Sequence, residues 1–203
     1  FVHASSFNAP KRLEDNINAI QLIKTLRDEN RPATKEEQDL LFKFSGFGAI
    51  KEIAYDPLDD KYWGVKSSQQ LRLGVEKARN LIKDIYGSDA KRVMQQIEGS
   101  ILNAHFTSFE VIRGMYHILD KMGFKSGRIL EPSAGSGNFF GGMPERMSSN
   151  STLTGIELDP LTADILKNLY QGAQIHNSGF QNVSIPTNYY DVAISNIQFG
   201  KDP

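Results

Sequence analysis

Residues 128–139 read Arg128-Ile129-Leu130-Glu131-Pro132-Ser133-Ala134-Gly135-Ser136-Gly137-Asn138-Phe139. A short apolar run ends in an acid and meets a turn holding two glycines. An apolar run of this length, bounded by Gly and Pro, reads as a buried strand. Gly135 and Gly137 carry no Cβ, so the backbone can bend tightly and let a ligand approach its N–H groups. A helix starting just beyond would turn its N-terminus toward polar or anionic oxygens. The same stretch also fits a strand-to-helix turn that binds nothing.

The pattern repeats on both sides of this stretch. Residues 152–156 read as a second strand, closed by Glu157, and Asp159-Pro160 is a favoured N-cap and first-turn pair for a helix reaching Tyr170. Residues 173–176 and 190–195 read as third and fourth strands. Upstream, Thr107-Ser108-Phe109-Glu110 reads as a capping box opening a helix through Met122, with Gly123 behind it. Strands alternating with helices predict an α/β fold with a parallel, doubly wound sheet. The expected architecture is a partial Rossmann-like sheet over 104–203, preceded by an all-helical N-terminal domain over 1–103.

That leader has helical spacing. Leu13, Ile17, Ile20, Ile23 and Leu26 form one stripe, which Asn30-Arg31-Pro32 stops. Thr34 and Glu37 predict a capping box opening a helix through about Phe44, which Gly46 can close. Ser68 is a candidate cap for a helix carrying Leu71, Val75, Ala78, Leu81, Ile82 and Ile85, ending at Gly87. Ser88 opens a shorter helix ending by Gly99. Phe42, Phe44 and Phe47 are expected in the leader's core. From Lys61 to Arg92 there are eight Lys and Arg against three acids. The spacing of Arg72, Arg79 and Lys83 either faces DNA phosphates or makes an ordinary solvated helix face.

Composition narrows the classes. The 203 residues are 39% hydrophobic and 23% charged, with formal net charge −1 and no Cys. A core can form, while disulfide scaffolds, Cys-ligated metals and thiol nucleophiles are excluded. His105, His117 and His176 are too scattered to predict a metal site. No run reaches the ~18 apolar residues of a membrane span, so a soluble, cytoplasmic protein without membrane partners is expected. The chain begins at Phe1 and ends at Lys201-Asp202-Pro203 after an apolar run. The expectation is a piece of a longer polypeptide.

The ligand follows from the acids. A carboxylate at the tip of the second strand, Glu157, is placed to hydrogen-bond ribose hydroxyls, which points to an adenosine-containing ligand. A dinucleotide fingerprint requires a third glycine where this chain has Phe140, which argues against a nicotinamide cofactor. Glu131 suits a ligand with a cationic amine beside the adenosine, as S-adenosylmethionine has. Ser195-Asn196-Ile197-Gln198-Phe199 follows the fourth strand, at the mouth of the crevice. An amide oxygen and a neighbouring carbonyl there can accept both hydrogens of an exocyclic amine, and Phe199 can stack on a planar base.

In that order, over roughly residues 103–200, the motifs resemble those of the N6-adenine DNA methyltransferase family. The leader's 32–38 and 44–48 segments are more like the large methyltransferase–helicase polypeptides of phages and conjugative elements. The resemblance implies that 104–203 is the N-terminal part of an S-adenosylmethionine-dependent methyltransferase domain, with DNA as partner and restriction–modification or mobile-element biology. It implies that Phe106, Thr107, Glu131 and Pro132 surround the methionyl portion, and that Gly135 and Gly137 let the cofactor pass. Glu157 would hold the ribose and Gln181 would lie by the adenine. Asn196, the carbonyl of Ile197, and Phe199 would receive the target adenine, with no metal required.

Three departures stand out. Ser108 replaces the family's Pro, Ile197 and Gln198 replace both prolines of the Asn-Pro-Pro-Tyr/Phe tetrad, and Gly179-Phe180-Gln181 stands where an adenine-binding acid is expected. Without proline to fix φ, the tetrad loop is expected to be less rigid. The resemblance implies that further strands and a target-recognition region follow residue 203, so little or no methyl transfer is expected from this chain alone. Two other readings fit the same residues: a nucleic-acid-binding scaffold on a degenerate methyltransferase fold, and a methyltransferase acting on RNA adenine or protein glutamine.

Overall fold

In this computed structural model, which describes residues 8–61, 63, 69–101 and 107–197, the apolar run before the glycine turn forms β1 (Arg128–Glu131). It is joined by β2 (Thr152–Glu157), β3 (Gln174–Asn177) and β4 (Val192–Ala193) in a four-stranded sheet of order β3-β2-β1-β4. All three pairings are parallel. The chain steps from β1 to β3 in one direction, then returns to place β4 on the other side of β1. This reversal opens a crevice at the carboxyl ends of β1 and β4.

The chain divides into two compact units, Phe1–Ala104 and His105–Pro203. In the second, two hydrophobic clusters lie along one face of the sheet. On that face, Ile112 and Tyr116 of α5 (Phe109–Lys121) pack with Ile129, Ile194, Phe139, Met143 and Met147. Further along the same face, Leu166 of α8 (Pro160–Leu169) packs with Ala134 and Phe140, with Tyr170 and Ile175 alongside. Each fully buried side chain of this size is worth about 1.5–3 kcal/mol, whereas a cap is worth about 1 kcal/mol. The apolar faces therefore decide where the helices lie, and the caps decide where they begin.

Several boundaries differ from the sequence reading. The helix after the glycine turn is a single turn, α6 (Asn138–Gly141), because Gly141-Gly142 and Pro144 stop it, and a second single turn, α7 (Glu145–Ser148), follows. It is too short to supply the N-terminal dipole expected of it. The cap of α5 is Ser108, whose Oγ accepts from Val111 N–H at 3.4 Å. Glu110 thus lies one position too early for a capping box. Asp159 caps α8 as expected, accepting from the N–H groups of Leu161 and Thr162, both at 3.2 Å.

β4 is shorter than the expected 190–195, because the Asp191 side chain occupies the first ladder position. Its Oδ2 accepts from Arg128 N–H at 2.8 Å and from Arg128 Nε at 3.2 Å, while Arg128 lies over the Tyr189 ring. Asp191 N–H to Arg128 O and Ile194 N–H to Leu130 O then fix the register. That register carries residue 195 to the tip of β1.

The N-terminal unit comprises α1 (Ala9–Asp28), α2 (Lys35–Leu41), α3 (Gln69–Tyr86) and α4 (Ala90–Ile101) among the described residues. The α1 stripe from Leu13 to Leu26 is buried, and the Thr34–Glu37 capping box is present. Buried Asn16 donates to Gly46 O at 2.7 Å and accepts from Ser45 N–H at 3.0 Å, pinning the loop in which Phe44 and Phe47 enter the core. Phe42, expected beside them, is exposed, because α2 ends at Leu41. Ser68 lies outside the described residues. Arg72 and Arg79 turn inward, donating to Pro57 O at 2.6 Å and Ile53 O at 2.8 Å, so these guanidiniums brace the 51–63 loop. No helix among the described residues is long and apolar enough to cross a membrane.

Candidate functional site

Three strand tips meet at the crevice. Glu131 ends β1 and is 1% exposed. Its Oε1 accepts from the Ser195 hydroxyl at 3.2 Å, and its Oε2 has no hydrogen-bond partner among the described residues. Glu157 ends β2, and both of its oxygens are engaged. Oε2 accepts from Gly135 N–H and Oε1 from Asp159 N–H, each at 2.8 Å. The Leu158 backbone also acts on the carboxylate, and its remaining acceptor capacity is what a ligand hydroxyl would use.

Electrostatics separate the two acids. Burial pushes the Glu131 carboxyl up to about 9 against the Ser195 bond, and the charge of Glu157 adds to the rise. Burial likewise raises Glu157, to about 7, with the charge of Asp159 adding and its backbone donors opposing. An unpaired buried carboxylate costs several kcal/mol, roughly, so Glu131 holds a proton until a cation or donor reaches it. The site therefore suits a ligand with hydroxyls for Glu157 and a positive group for Glu131.

The glycines do different jobs. Gly135 has φ +54°, and a Cβ there would meet nothing within 4 Å, so its bare backbone faces open space. Gly137 has φ +88°, and a Cβ there would run into Tyr170 and Leu166. The close approach Gly137 permits is to the Tyr170 ring, whose hydroxyl donates to Gly137 O at 2.9 Å. Its missing side chain serves packing within the turn, a use the spacing alone did not reveal.

The remaining residues singled out from sequence are placed as follows. Pro132 is half-buried in the turn after β1, and Thr107 is half-buried just ahead of the α5 cap. Gln181 is exposed in the short turn 180–182, its amide lying where a Cβ on Gly179 would be, next to half-exposed Phe180. Asn196 is exposed, directly after Ser195, and Ile197 is 61% exposed. Phe106 and Phe199 lie outside the described residues. Glu131, Gly135 and Glu157 are brought together, and Asn196 is held beside them through Ser195.

Sequence reasoning missed Ser195, Tyr116 and Tyr170. Ser195 had a signal, its place at the end of a strand next to Asn196. The tyrosines had none beyond helical spacing, since only the fold brings both within reach of the Glu131 charge, which adds to the effect of burial in raising their pKa.

No family model matches the chain, and no curated protein matches it. Two solved structures are similar. One is a protein described as a class I S-adenosylmethionine-dependent methyltransferase from Listeria monocytogenes, with TM-score 0.43 and 15% identity over 96% of this chain and 60% of that one. The other is the type I restriction-modification system methyltransferase subunit from Streptococcus thermophilus, with TM-score 0.42 and 13% identity over 91% of this chain and 44% of that one. The chain thus spans 60% and 44% of their lengths.

Proposed function

We propose that residues 105–203 form the cofactor-binding part of an S-adenosylmethionine-dependent methyltransferase whose substrate is adenine N6 in DNA. The observation that carries this reading is the joining of three elements at one crevice. Gly135 N–H bonds Glu157, and Glu131 bonds Ser195, the residue before Asn196. A ligand lying on Gly135 is thereby within reach of an acid for its ribose, an acid for its amine, and an amide for the acceptor base.

The residues fit that cofactor. Among the described residues Glu131 Oε2 is buried without a partner, which an ammonium would satisfy, and nothing fills the Cβ position of Gly135. Bound S-adenosylmethionine supplies an electrophilic methyl on a sulfonium. Glu157 holds the ribose hydroxyls, and Asn196 Oδ1 with the Ile197 carbonyl accepts hydrogen bonds from the adenine amine. Those bonds would draw the nitrogen lone pair out of conjugation with the ring, so that positioning would supply most of the catalysis.

Titration calorimetry with S-adenosylhomocysteine tests the reading. Saturable binding is expected, lost in Glu157→Ala and unaffected by NAD as competitor. Absence of binding, or equal binding by Glu157→Ala, overturns it. For the acceptor, labelled cofactor and digestion to nucleosides should place label in N6-methyladenine of duplex DNA. Label in RNA or in protein glutamine reassigns the substrate.

A further inference from the structure

Two buried polar atoms near the β1 tip have no partner among the described residues, Glu131 Oε2 and the Tyr116 hydroxyl. Tyr116 is 0% exposed, on the α5 face that packs against Ile129 and Ile194. Residue 131 lies two positions beyond Ile129 in β1 and so points to the same face of the sheet. The carboxyl charge acts on the phenol, yet neither atom bonds the other.

An unsatisfied hydroxyl at full burial is a liability, because Phe would fill the same volume without a stranded polar group. A ligand group reaching both atoms removes that liability. Beside a cation Glu131 gives up its proton and only accepts, and the phenol oxygen accepts while its hydrogen turns elsewhere. A donor-rich cation fits both at once, and its charge favours the ionised form of Glu131.

We propose that Tyr116 is a cofactor-contacting residue that, with Glu131, receives the primary ammonium of the methionyl arm of S-adenosylmethionine and selects adenosine ligands that carry an amino acid. This rests on the methyltransferase reading above. It adds a residue on α5, outside the glycine turn and the strand tips, and assigns it the discrimination between ligands with and without the amine.

The test compares wild type with Tyr116→Phe on two ligands. S-adenosylhomocysteine carries the amino acid, and 5′-methylthioadenosine keeps the adenosine and thioether without it. Tyr116→Phe should weaken S-adenosylhomocysteine by about ten- to a hundredfold, the range for a bond to a charged donor. It should leave 5′-methylthioadenosine binding unchanged. Its melting temperature without ligand should equal or exceed that of wild type, which a structural role for the hydroxyl would not produce. Unchanged affinity for S-adenosylhomocysteine, or equal loss on both ligands, overturns the proposal for Tyr116. If wild type binds 5′-methylthioadenosine as tightly as S-adenosylhomocysteine, the amine is not read, and the proposal falls while the adenosine site stands. If wild type binds neither, the methyltransferase reading falls and takes this one with it.

Discussion

The carboxyl ends of β1 and β2 lie side by side in the sheet and each finishes in a glutamate, yet the two side chains are held in opposite ways. Glu157 is completed by the chain itself, each oxygen receiving a backbone N–H at 2.8 Å. Glu131 is left incomplete, one oxygen taking a 3.2 Å bond from Ser195 and the other taking none among the described residues. A group satisfied by its own backbone is fixed before any ligand arrives. A buried group with an open lone pair costs stability until something fills it. The β2 tip is thus a preformed edge of the site, and the β1 tip is where ligand binding alters the protein's energetics.

The turn between the two tips gives the largest effects, because its two glycines divide along the same line. Gly137→Ala should destabilise the fold by about 3 kcal/mol or more, since a Cβ would displace Tyr170 and Leu166 in a left-handed backbone. Gly135→Ala meets open space and should cost only the left-handed strain, about 1–2 kcal/mol. It should nevertheless block S-adenosylhomocysteine. Thermal melts paired with calorimetry check both, and equal destabilisation would erase the distinction between packing glycine and ligand glycine.

Next come the acids. Glu157→Ala removes the acceptor for the N–H groups of Gly135 and Asp159, so it should lower stability by about 2 kcal/mol as well as abolish binding. Glu131→Gln keeps the shape of the protonated acid, so it should abolish binding without lowering stability. At pH 8 it should raise it. A loss of stability in Glu131→Gln matching that of Glu157→Ala would show that the two tips are built alike.

The pH dependence follows from the same contrast. With Glu131 raised to about 9 and Glu157 to about 7, the folded chain keeps protons that the unfolded chain has already released. Their contribution is full below the ordinary carboxylate value and is lost as pH climbs through about 7 and then about 9. The slope reaches about 1.4 kcal/mol per pH unit for each group. Groups shifted the other way, such as Asp120 and Glu37, both held near 2 by cationic partners, matter only in acid. The melting temperature of the ligand-free chain should therefore rise from about pH 8 to about pH 5.5, and Glu131→Gln should flatten the upper part of that rise.

How much of this was legible beforehand depends on whether a feature is local. The strands around Glu131 and Glu157 showed in the sequence because each ends in an acid followed within three residues by Pro, and Asp159-Pro160 announced α8. The single-turn length of α6 was also written there, in Gly141-Gly142 and Pro144. Other features needed the fold. Nothing local says that Arg72 and Arg79 hold carbonyls of the 51–63 loop, and a basic helix face looks the same whether it meets phosphate or its own chain. Tyr116 was likewise unreadable, because its hydroxyl acquires meaning only when the sheet sets Glu131 opposite it.

The smallest expected effect belongs to Ser195, and it is the most informative about how the two tips are linked to the acceptor loop. Ser195→Ala removes one hydrogen bond to Glu131 and should cost about 0.5–1.5 kcal/mol. In the ligand-free chain even that loss is reduced, because the carboxyl holds its own proton and the serine donates to a neutral acid. Once an ammonium ionises Glu131, the same bond becomes charge-assisted and stronger. Ser195→Ala should therefore weaken S-adenosylhomocysteine by about tenfold while barely moving the ligand-free melting temperature. Ser195→Thr, which keeps the hydroxyl, should restore affinity. A loss that the threonine does not rescue would mean that residue 195 acts through the backbone path to Asn196, leaving the β1 tip and the acceptor loop energetically separate.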